Sequence, residues 1–154
     1  MLTPRPATLH DCHYMAERLR PADAAEVYAA AGASPLSALV EGFETSEEPM
    51  VGVTDDDTPV CMGGVGAVEG DPLAGCVWML ATTDIEKHKM SFLRRSKPWV
   101  EEWNKKYPVL FNCVDERNEL HIKWLRWLGF TFIRRHPLWG YEKRPFIEFV
   151  RLHV

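Results

Sequence analysis

The spacing of apolar and polar positions changes along the chain and divides it into a helical part and a part dominated by strands. Residues 5–8 form a short predicted edge strand, where proline is tolerated because no ladder hydrogen bond is lost. Cap and turn signals then predict three helices, over residues 11–20 with Asp11 as the N-cap, 21–32 and 36–43. The first third of the chain is therefore predicted to be mostly helical.

From residue 50 the period becomes that of strands, interrupted by two helices. The predicted strands cover residues 50–53, 60–62, 76–81, 109–114, 131–133 and 145–152. The runs 76–81 and 109–114 are mostly apolar, which is typical of strands buried on both faces. Helices are predicted over 91–107, with a kink or a break at Pro98, and over 118–128, which Gly129 ends in the left-handed conformation.

Composition limits the classes of protein to which the chain can belong. Its 154 residues suit a single domain, predicted to span residues 1–154, and 46% hydrophobic with 26% charged residues is ordinary for a globular protein. The longest uncharged run has 14 residues, too short to cross a bilayer, and no secretory signal is recognised, so we expect the chain to stay where it is made. Four isolated cysteines predict neither a structural zinc site nor a disulfide framework.

Charge is distributed unevenly between the two halves of the sequence. Residues 1–75 contain 3 Lys or Arg against 13 Asp or Glu, a net charge of −10, whereas residues 76–154 contain 15 against 9, a net charge of +6. An anionic ligand is therefore expected to bind the second half. The acidic first half makes nucleic acid an unfavourable partner.

Segment 118–130 carries the spacing Asn118-x-x-His121-Ile122-x-x-Leu125-x-x-Leu128-Gly129-Phe130. Together with the order of the elements, this segment resembles motif B of the GNAT superfamily of acyl-CoA-dependent N-acyltransferases. The run Arg5-Pro6-Ala7 resembles the opening strand of the same family. More narrowly, segments 92–96, 114–118, 124–130 and 145–149 resemble a group of small GNAT-like proteins encoded by short-tailed bacteriophages.

The resemblance implies an α+β, GNAT-like fold with a twisted, mixed, mostly antiparallel sheet of six to seven strands and helices on both faces. In that family the fourth and fifth strands, here 76–81 and 109–114, splay apart, and the pantetheine arm of acetyl-CoA lies between them. The pyrophosphate rests on backbone N–H groups of a glycine-rich loop at a helix N-terminus. The corresponding loop here, residues 82–91, contains no glycine, which departs from the family pattern.

Basic side chains are the predicted substitute for the missing glycine loop. Five cations between residues 87 and 97, near the start of a helix, are expected to hold the phosphates of acetyl-CoA (or CoA), the predicted cofactor. The alternative is a solvated basic loop without a ligand. Asn118 is interpreted either as an N-cap alone or as a contact to the cofactor arm as well. The predicted cofactor-binding residues are Leu80, Ala81, Thr82, Lys87, Lys89, Arg94, Arg95 and Asn118.

Acid–base catalysis beside the splayed strands needs a group that removes a proton from the acceptor amine. The candidates are His121, on the same helix face as Leu125, and then Tyr141, His136 and Asp115. For His121 the alternative is a packed histidine without a catalytic role.

Two further expectations concern the reacting groups and the acceptor. Many relatives carry a tyrosine that protonates the leaving thiolate, but Leu125 stands at that position and has no proton to give. A backbone N–H at Leu80 or Ala81 is expected to meet the oxyanion. Trp139 is predicted to lie in an exposed loop, 136–141, at the rim of the acceptor pocket.

Two functional hypotheses follow from the resemblance. The first is an acetyl-CoA-dependent N-acetyltransferase that transfers an acetyl group to an amine of a host protein or small molecule. The second is a non-catalytic GNAT-fold protein that binds a host or virion protein, which the missing glycines and Leu125 favour. No membrane partner and no metal site are predicted. In the phage setting, the expected location is the cytoplasm of the infected bacterial host, or the virion.

Overall fold

The architecture follows the predicted order of elements. The computed structural model describes residues 1–154. Helices α1 to α5 span Leu9–Ala16, Pro21–Ala31, Pro35–Thr45, Lys89–Lys106 and Glu119–Trp127. Strands β1 to β7 span Thr3–Pro6, Met50–Val53, Pro59–Val68, Asp71–Ala81, Val109–Asp115, Thr131–Trp139 and Arg144–Leu152. A short 3₁₀ helix, Thr83–His88, precedes α4.

All seven strands belong to one open sheet, in the order β1-β2-β3-β4-β5-β7-β6. Every neighbouring pair is antiparallel except β4 and β5. These two are parallel because α4 carries the chain from the end of one strand back to the start of the other. The predicted α+β fold with a mixed, mostly antiparallel sheet is confirmed.

Helices α1, α2 and α3 contribute the core on one face of the sheet. Their apolar side chains pack with Met62 of β3 and Leu80 of β4, because alternate side chains of each strand point to this face of the sheet. Asp11 is not the N-cap of α1, as predicted, because Thr8 takes that position and Asp11 completes a capping box at the third helical residue. Helix α2 ends before Gly32, as predicted, and this glycine has φ of 66°, in the left-handed region that commonly ends a helix.

Helices α4 and α5 cover the opposite face. Val100 of α4 is buried in the cluster that contains Val77 and Leu110 of the sheet. Phe92 of α4 and Trp124 of α5 are buried in a second cluster, which contains Ala81 of β4. Helix α4 continues through Pro98 as one element of 18 residues, so the predicted break is absent. The burial of apolar residues on both sides of the proline outweighs the one lost hydrogen bond. No helix of the protein is both long enough and apolar enough to cross a bilayer.

The last hairpin is longer than the sequence predicts. Strand β6 extends to Trp139, whereas residues 136–141 are predicted as a loop. The pairing register shifts between His136 and Trp139, around Pro137, and β6 is the edge strand of the sheet, where a proline removes no needed ladder bond. Trp139 is 37% exposed and lies in the strand rather than in a loop.

Candidate functional site

The parallel strands β4 and β5 separate halfway along and open a gap in the sheet. Their ladder ends where Cys76 faces Phe111. Main-chain groups of alternate β4 residues bond to β3, and those of the intervening residues point toward β5. Past the end of the β4–β5 ladder, these intervening residues are Val77, Met79 and Ala81, and their main-chain groups point into the gap. The splay between the fourth and fifth strands therefore occurs where the family resemblance implied it.

A side chain closes the narrow end of the gap. Asn112 of β5 donates from Nδ2 to the carbonyl oxygen of Val77 at 2.7 Å, and its Oδ1 accepts from the N–H of Cys113 at 2.7 Å. The amide thus satisfies main-chain groups near the point where the strands part. Met79 has no partner on β5, so its N–H and C=O face the gap.

We expect Asn112→Leu to lower the free energy of unfolding by about 2 kcal/mol, because leucine has a similar volume but cannot bond to the carbonyl of Val77. Urea denaturation followed by tryptophan fluorescence measures the change. Thr131→Leu, at an exposed strand position, serves as the control. A loss for Asn112→Leu no larger than that of the control would contradict the bridging role.

The wide end of the gap holds a buried ionic network centred on Asp23 of α2. Asp23 has no solvent exposure, and its Oδ2 accepts from the N–H of Ala81 at 2.9 Å. Its Oδ1 accepts from Nη1 of Arg20 at 2.8 Å and from Nδ2 of Asn118 at 3.0 Å. The N–H of Arg20 donates to the carbonyl oxygen of Ala81 at 2.9 Å. Both main-chain groups of Ala81 are therefore bonded to residues 20 and 23 instead of to β5.

Glu26, one turn further along α2, brings a second carboxylate to the gap. Its Oε1 accepts from the N–H of Asp115 at 2.9 Å and from Nδ2 of Asn118 at 3.3 Å, while no hydrogen bond is formed by Oε2. Burial, together with the carboxylates of Asp23 and Asp115, raises the pKa of Glu26 to about 8, although the two hydrogen bonds to Oε1 favour the charged form. The carboxyl group is therefore close to its midpoint at neutral to mildly alkaline pH.

A cavity of about 540 Å³ passes through the gap and has walls on both faces of the sheet. On the side of α2 and α3 it is lined by Glu26, Val27, Ala30, Glu41, Trp78 and Trp139. On the side of α4 and α5 it is lined by Phe92, Arg95, Trp99, His121, Trp124 and Leu125. The surface that Glu26 retains faces this cavity, which explains why the residue is half-buried and yet shielded from bulk solvent.

His121 of α5 is the one predicted catalytic residue that lines the cavity. Its side chain is 8% exposed, and Nε2 lies 3.3 Å from Oδ1 of Asp23 without the alignment that a hydrogen bond requires. Burial lowers the pKa of His121, an effect that the Asp23 carboxylate opposes and Arg20 reinforces. His121 is therefore a neutral imidazole with an unpartnered nitrogen beside the gap.

The other three candidate bases lie away from the cavity lining. Asp115 is buried and bonds to Arg117, whose guanidinium lowers the pKa of Asp115 although burial opposes ionisation. Tyr141 is 64% exposed, and its ring packs edge to face on Tyr28 at the end of α2. His136 pairs with a carboxylate of β7. The structure thus brings His121 together with Asp23 and Glu26, and not with these candidates.

The predicted cofactor-binding residues at the end of β4 mostly pack against or hydrogen-bond to other parts of the protein. The side chain of Leu80 packs in the core against α1 and α3, and its main-chain groups face β3, where it pairs with Met62. Ala81 is bonded to residues 20 and 23, as described above. Thr82 is 2% exposed, and its Oγ1 has no hydrogen-bond partner. In this conformation the N–H groups of Leu80 and Ala81 do not project freely into the cavity.

Asn118 occupies the N-cap position of α5, but its side chain does not cap the helix. Its Nδ2 donates to Asp23 and Glu26 instead, and Nη1 of Arg20 lies 3.4 Å from its Oδ1. Asn118 therefore stands at the predicted N-cap position, but the side-chain capping bond expected there is absent. Two buried carboxylates need donors more than the exposed first turn of a helix does. Asn118 holds α2 and α5 together at the wide end of the gap.

The glycine-free loop folds as the 3₁₀ helix Thr83–His88, and four of its neighbouring cations point to the surface rather than into the cavity. Lys87 is exposed beside Asp84, and Lys89 is exposed at the first residue of α4. Arg94 lies with Arg95 in a shallow hollow between α4 and the start of β1. Of the predicted phosphate ligands, Arg95 is the one that also lines the cavity.

The thiols near the gap are not suited to act as nucleophiles. Cys76 and Cys113 both line the cavity, and all four cysteines are free. Burial raises the pKa of both thiols, that of Cys113 to about 11, so they stay protonated near neutral pH. No group of three or more His, Cys, Asp or Glu side chains is arranged to hold a metal ion.

Sequence reasoning missed Asp23, Glu26 and Asn112 as residues of the site. Asp23 and Glu26 are the two charged residues of an otherwise alanine-rich helix and stand three positions apart, which places them on one face. A pair of carboxylates on the apolar face of a helix is unusual and could have drawn attention to α2. Nothing in the sequence around Asn112 distinguishes it from a polar residue in a strand.

Comparison with solved structures identifies the fold. The chain superposes on a ribosomal-protein-alanine N-acetyltransferase from Brucella melitensis with a TM-score of 0.71 at 15% identity, covering 99% of this chain and 100% of that one. For AAC(6')-Ib in complex with ribostamycin and coenzyme A, the TM-score is 0.70 at 16% identity, with coverage of 99% and 93%. For a spermidine N-acetyltransferase chimera from Vibrio cholerae and hSSAT, the TM-score is 0.64 at 10% identity, with coverage of 98% and 95%. No family model matches the sequence, and no curated protein shows significant sequence similarity to it.

Proposed function

We propose that this GNAT-fold protein is an N-acyltransferase that uses an acyl-CoA, in the first place acetyl-CoA, to acylate an amine. The main-chain N–H and C=O of Met79, facing a gap that opens into a continuous cavity, carry the proposal. An extended chain with amide groups can pair with such a strand edge as a further strand would. Neighbours of the same fold named as N-acetyltransferases of spermidine and of ribosomal-protein alanine support an amine as acceptor.

The residues around the gap fit an acyl-CoA. Met79 would pair with the amides of the pantetheine arm, and Phe92, Trp99 and Trp124 supply apolar walls for it between α4 and α5. Arg95 would hold a phosphate, with Lys89 and Arg94 contributing positive charge at the start of α4. When bound, the acyl-CoA supplies an activated acyl group as a thioester.

The chain itself contributes orientation, exclusion of water and proton handling. The Asp23 network fixes the end of β4, and the apolar cavity walls would exclude bulk water from the gap once the acyl-CoA fills it. His121 can hold or release a proton at its unpartnered Nε2. Leu125 lines the cavity and has no proton to give, so the leaving thiolate would be protonated by water or by His121.

Titration calorimetry with acetyl-CoA tests the proposal. We expect binding that weakens as salt is raised, and a loss of affinity on the order of tenfold for Arg95→Glu, because the substitution places a carboxylate beside the phosphates. The matched control is Lys105→Glu, which makes the same change of charge at the far end of α4, where the side chain is exposed. An equal loss for both variants, or no binding by the unmodified protein at millimolar acetyl-CoA, would contradict the proposal.

A non-catalytic protein that binds a host or virion protein is the second candidate function. It is supported by the closed 3₁₀ helix in place of a glycine-rich cradle and by the engagement of the Ala81 N–H with Asp23. A pull-down from bacterial lysate supplied with acetyl-CoA separates the two functions. Recovery of one stoichiometric partner that gains no acetyl group would favour the second. The location in an infected bacterial cytoplasm or a virion belongs to this proposal and is tested by mass spectrometry of purified particles.

A further inference from the structure

The two sides of the cavity carry opposite charge. Between Arg20 and Lys87 the chain contains no Lys, Arg or His but 13 Asp or Glu, and this segment includes α2 and α3. Glu26 and Glu41 are the charged residues that line the cavity on that side, whereas Arg95 lines it from α4 on the other. Both charged side chains that line the cavity from α2 and α3 are therefore carboxylates, which favours a cationic ligand there.

The walls between these carboxylates are small and apolar. Val27, Ala30, Ala31 and Ala38 line this part of the cavity, with Trp78 at the sheet. Such walls suit an unbranched alkyl chain and offer no partner for hydroxyl groups or amides along it. The lining is thus complementary to a ligand with an apolar middle and cationic ends.

Glu26 is built to meet one of those ends. Its Oε1 is held by the N–H of Asp115 and by Asn118, so the carboxyl group is fixed, while Oε2 is free of hydrogen bonds. The neighbouring Nε2 of His121, 8% exposed, also lacks a partner. A buried nitrogen without a partner and a partly exposed carboxylate oxygen without a hydrogen bond, both on residues that line one cavity, indicate a place for a polar ligand group.

We propose that the acceptor is a small, unbranched alkyl amine with a second cationic group, and that Glu26 is the catalytic base that removes a proton from its reacting ammonium. Glu41, on α3 at the same side, would bind the second cation. This inference rests on the proposed acyl-CoA-dependent activity and adds to it the class of acceptor and the identity of the base.

The proposed acyl transfer begins with deprotonation of the acceptor by Glu26. Oε2 of Glu26 takes one proton from the ammonium, which leaves a neutral amine with a free electron pair. That pair forms the N–C bond to the thioester carbonyl carbon, and the C–S bond breaks as its electrons leave with the sulfur. The second proton lost by the nitrogen protonates the thiolate, through water or His121. The proton on Glu26 returns to solvent through the cavity, so each turnover releases one proton.

The charged groups that act on Glu26 are Asp23 of its own helix, Asp115 of β5 and Arg117 of the turn after β5. Further titratable or charged groups belong to the same network or cavity wall, namely Arg20, His121 of α5 and Glu41 of α3. The carboxylates among them and the burial of Glu26 keep its pKa at about 8, well below that of an alkyl ammonium, which is about 10. A base of this strength is ionised at mildly alkaline pH while the acceptor is still protonated.

Steady-state kinetics with α,ω-diamines of three to six carbons tests the inference, since the series varies the separation of the two ammonium groups that would meet Glu26 and Glu41. With the best diamine and saturating acetyl-CoA, we expect kcat/KM to rise with pH and to level off near pH 8. For Glu26→Gln we expect kcat/KM to fall about a hundredfold. We also expect kcat/KM of this variant to keep rising above pH 8, until the pH reaches the pKa of the amine. Acetyl-CoA binding is expected to be unchanged.

Companion variants separate a catalytic role from a structural one. Glu26→Asp keeps a carboxyl group, so it should retain the levelling of the profile at a lower rate. Glu41→Gln should raise KM for the diamine more than for the monoamine of equal length. Glu44→Gln, an exposed residue of α3 outside the cavity lining, is the matched control and should change neither parameter.

The outcomes distinguish this inference from the proposed function. Transfer to a diamine with an unchanged rate and pH profile in Glu26→Gln overturns the assignment of the base and leaves the acyltransferase standing. Binding of acetyl-CoA without transfer to any diamine overturns the class of acceptor and the base together. Failure to bind acetyl-CoA overturns the proposed function, and this inference falls with it.

Discussion

Asp23→Ala is expected to lower the free energy of unfolding by about 3 to 5 kcal/mol. The substitution leaves the guanidinium of Arg20 buried without its carboxylate and removes the acceptor of the Ala81 N–H. It also frees the Nδ2 of Asn118 from its bond to Asp23. Because each of these groups stays in the protein interior, the full cost of their desolvation remains while the compensating bonds are lost.

Urea denaturation of the purified variant measures this loss. Asp84→Ala is the control, since Asp84 is an exposed partner of Lys87 and its removal should change stability by less than about 0.5 kcal/mol. Asp23→Asn keeps the shape and one acceptor oxygen, so its loss should lie between those two. A loss below about 1 kcal/mol for Asp23→Ala would mean that water replaces the carboxylate, and that the end of β4 does not depend on α2.

Glu26→Gln is expected to stabilise the protein at alkaline pH and to leave it unchanged at acidic pH. In the unfolded chain this carboxyl group titrates near its ordinary value of 4.5, whereas in the folded protein its pKa is about 8. Below the lower value both states are protonated and the group has no effect. As pH rises between the two values, only the unfolded state releases its proton, so the folded wild type loses stability, and above about pH 8 the loss is complete.

The size of this effect follows from the separation of the two pKa values. Each unit corresponds to about 1.4 kcal/mol, and the cavity admits some solvent to the carboxyl group, so we expect a gain for the variant of the order of 3 kcal/mol at pH 9. Urea denaturation of wild type, Glu26→Gln and the control Glu44→Gln at pH 4 and pH 9 measures the difference. The same difference at both pH values would show that Glu26 is not held protonated by the fold.

These two residues have opposite effects on stability although they stand one turn apart on α2. Asp23 is fully paired and contributes to holding β4, whereas Glu26 has an unpaired oxygen and destabilises the folded state when charged. A charge kept at a cost to stability, on the wall of a cavity, is typical of functional sites. The contrast between the two variants therefore separates a structural carboxylate from a functional one.

The layout of the fold could be predicted because it depends on local patterns. Apolar runs at 76–81 and 109–114 indicated two central strands, and Gly32 and Gly129 both adopt the left-handed conformation that ends a helix. Details that depend on contacts across the fold were not predicted. Helix α4 continues through Pro98 because its apolar residues on both sides are buried, and β6 continues to Trp139 because it lies at the edge of the sheet.

The candidate site was predicted only in part, for a related reason. His121 was found because a histidine beside the motif has chemistry of its own. Asn118 was found, but its partners were not, since Asp23 and Glu26 precede it by more than ninety residues and meet it only when α2 packs over the gap. The basic cluster was expected to hold the phosphates of the cofactor, but Arg95 is the one of its five cations that lines the cavity.

By itself the sequence determined the order of helices and strands and the separation of acidic from basic charge, because each depends on neighbours in the chain or on composition. The tertiary structure alone decided which polar groups share the gap. Burial and hydrogen-bond pairing depend on residues far apart in sequence. They determine that the carboxylate of Asp23 stabilises the end of β4, whereas that of Glu26 keeps a free oxygen and a raised pKa.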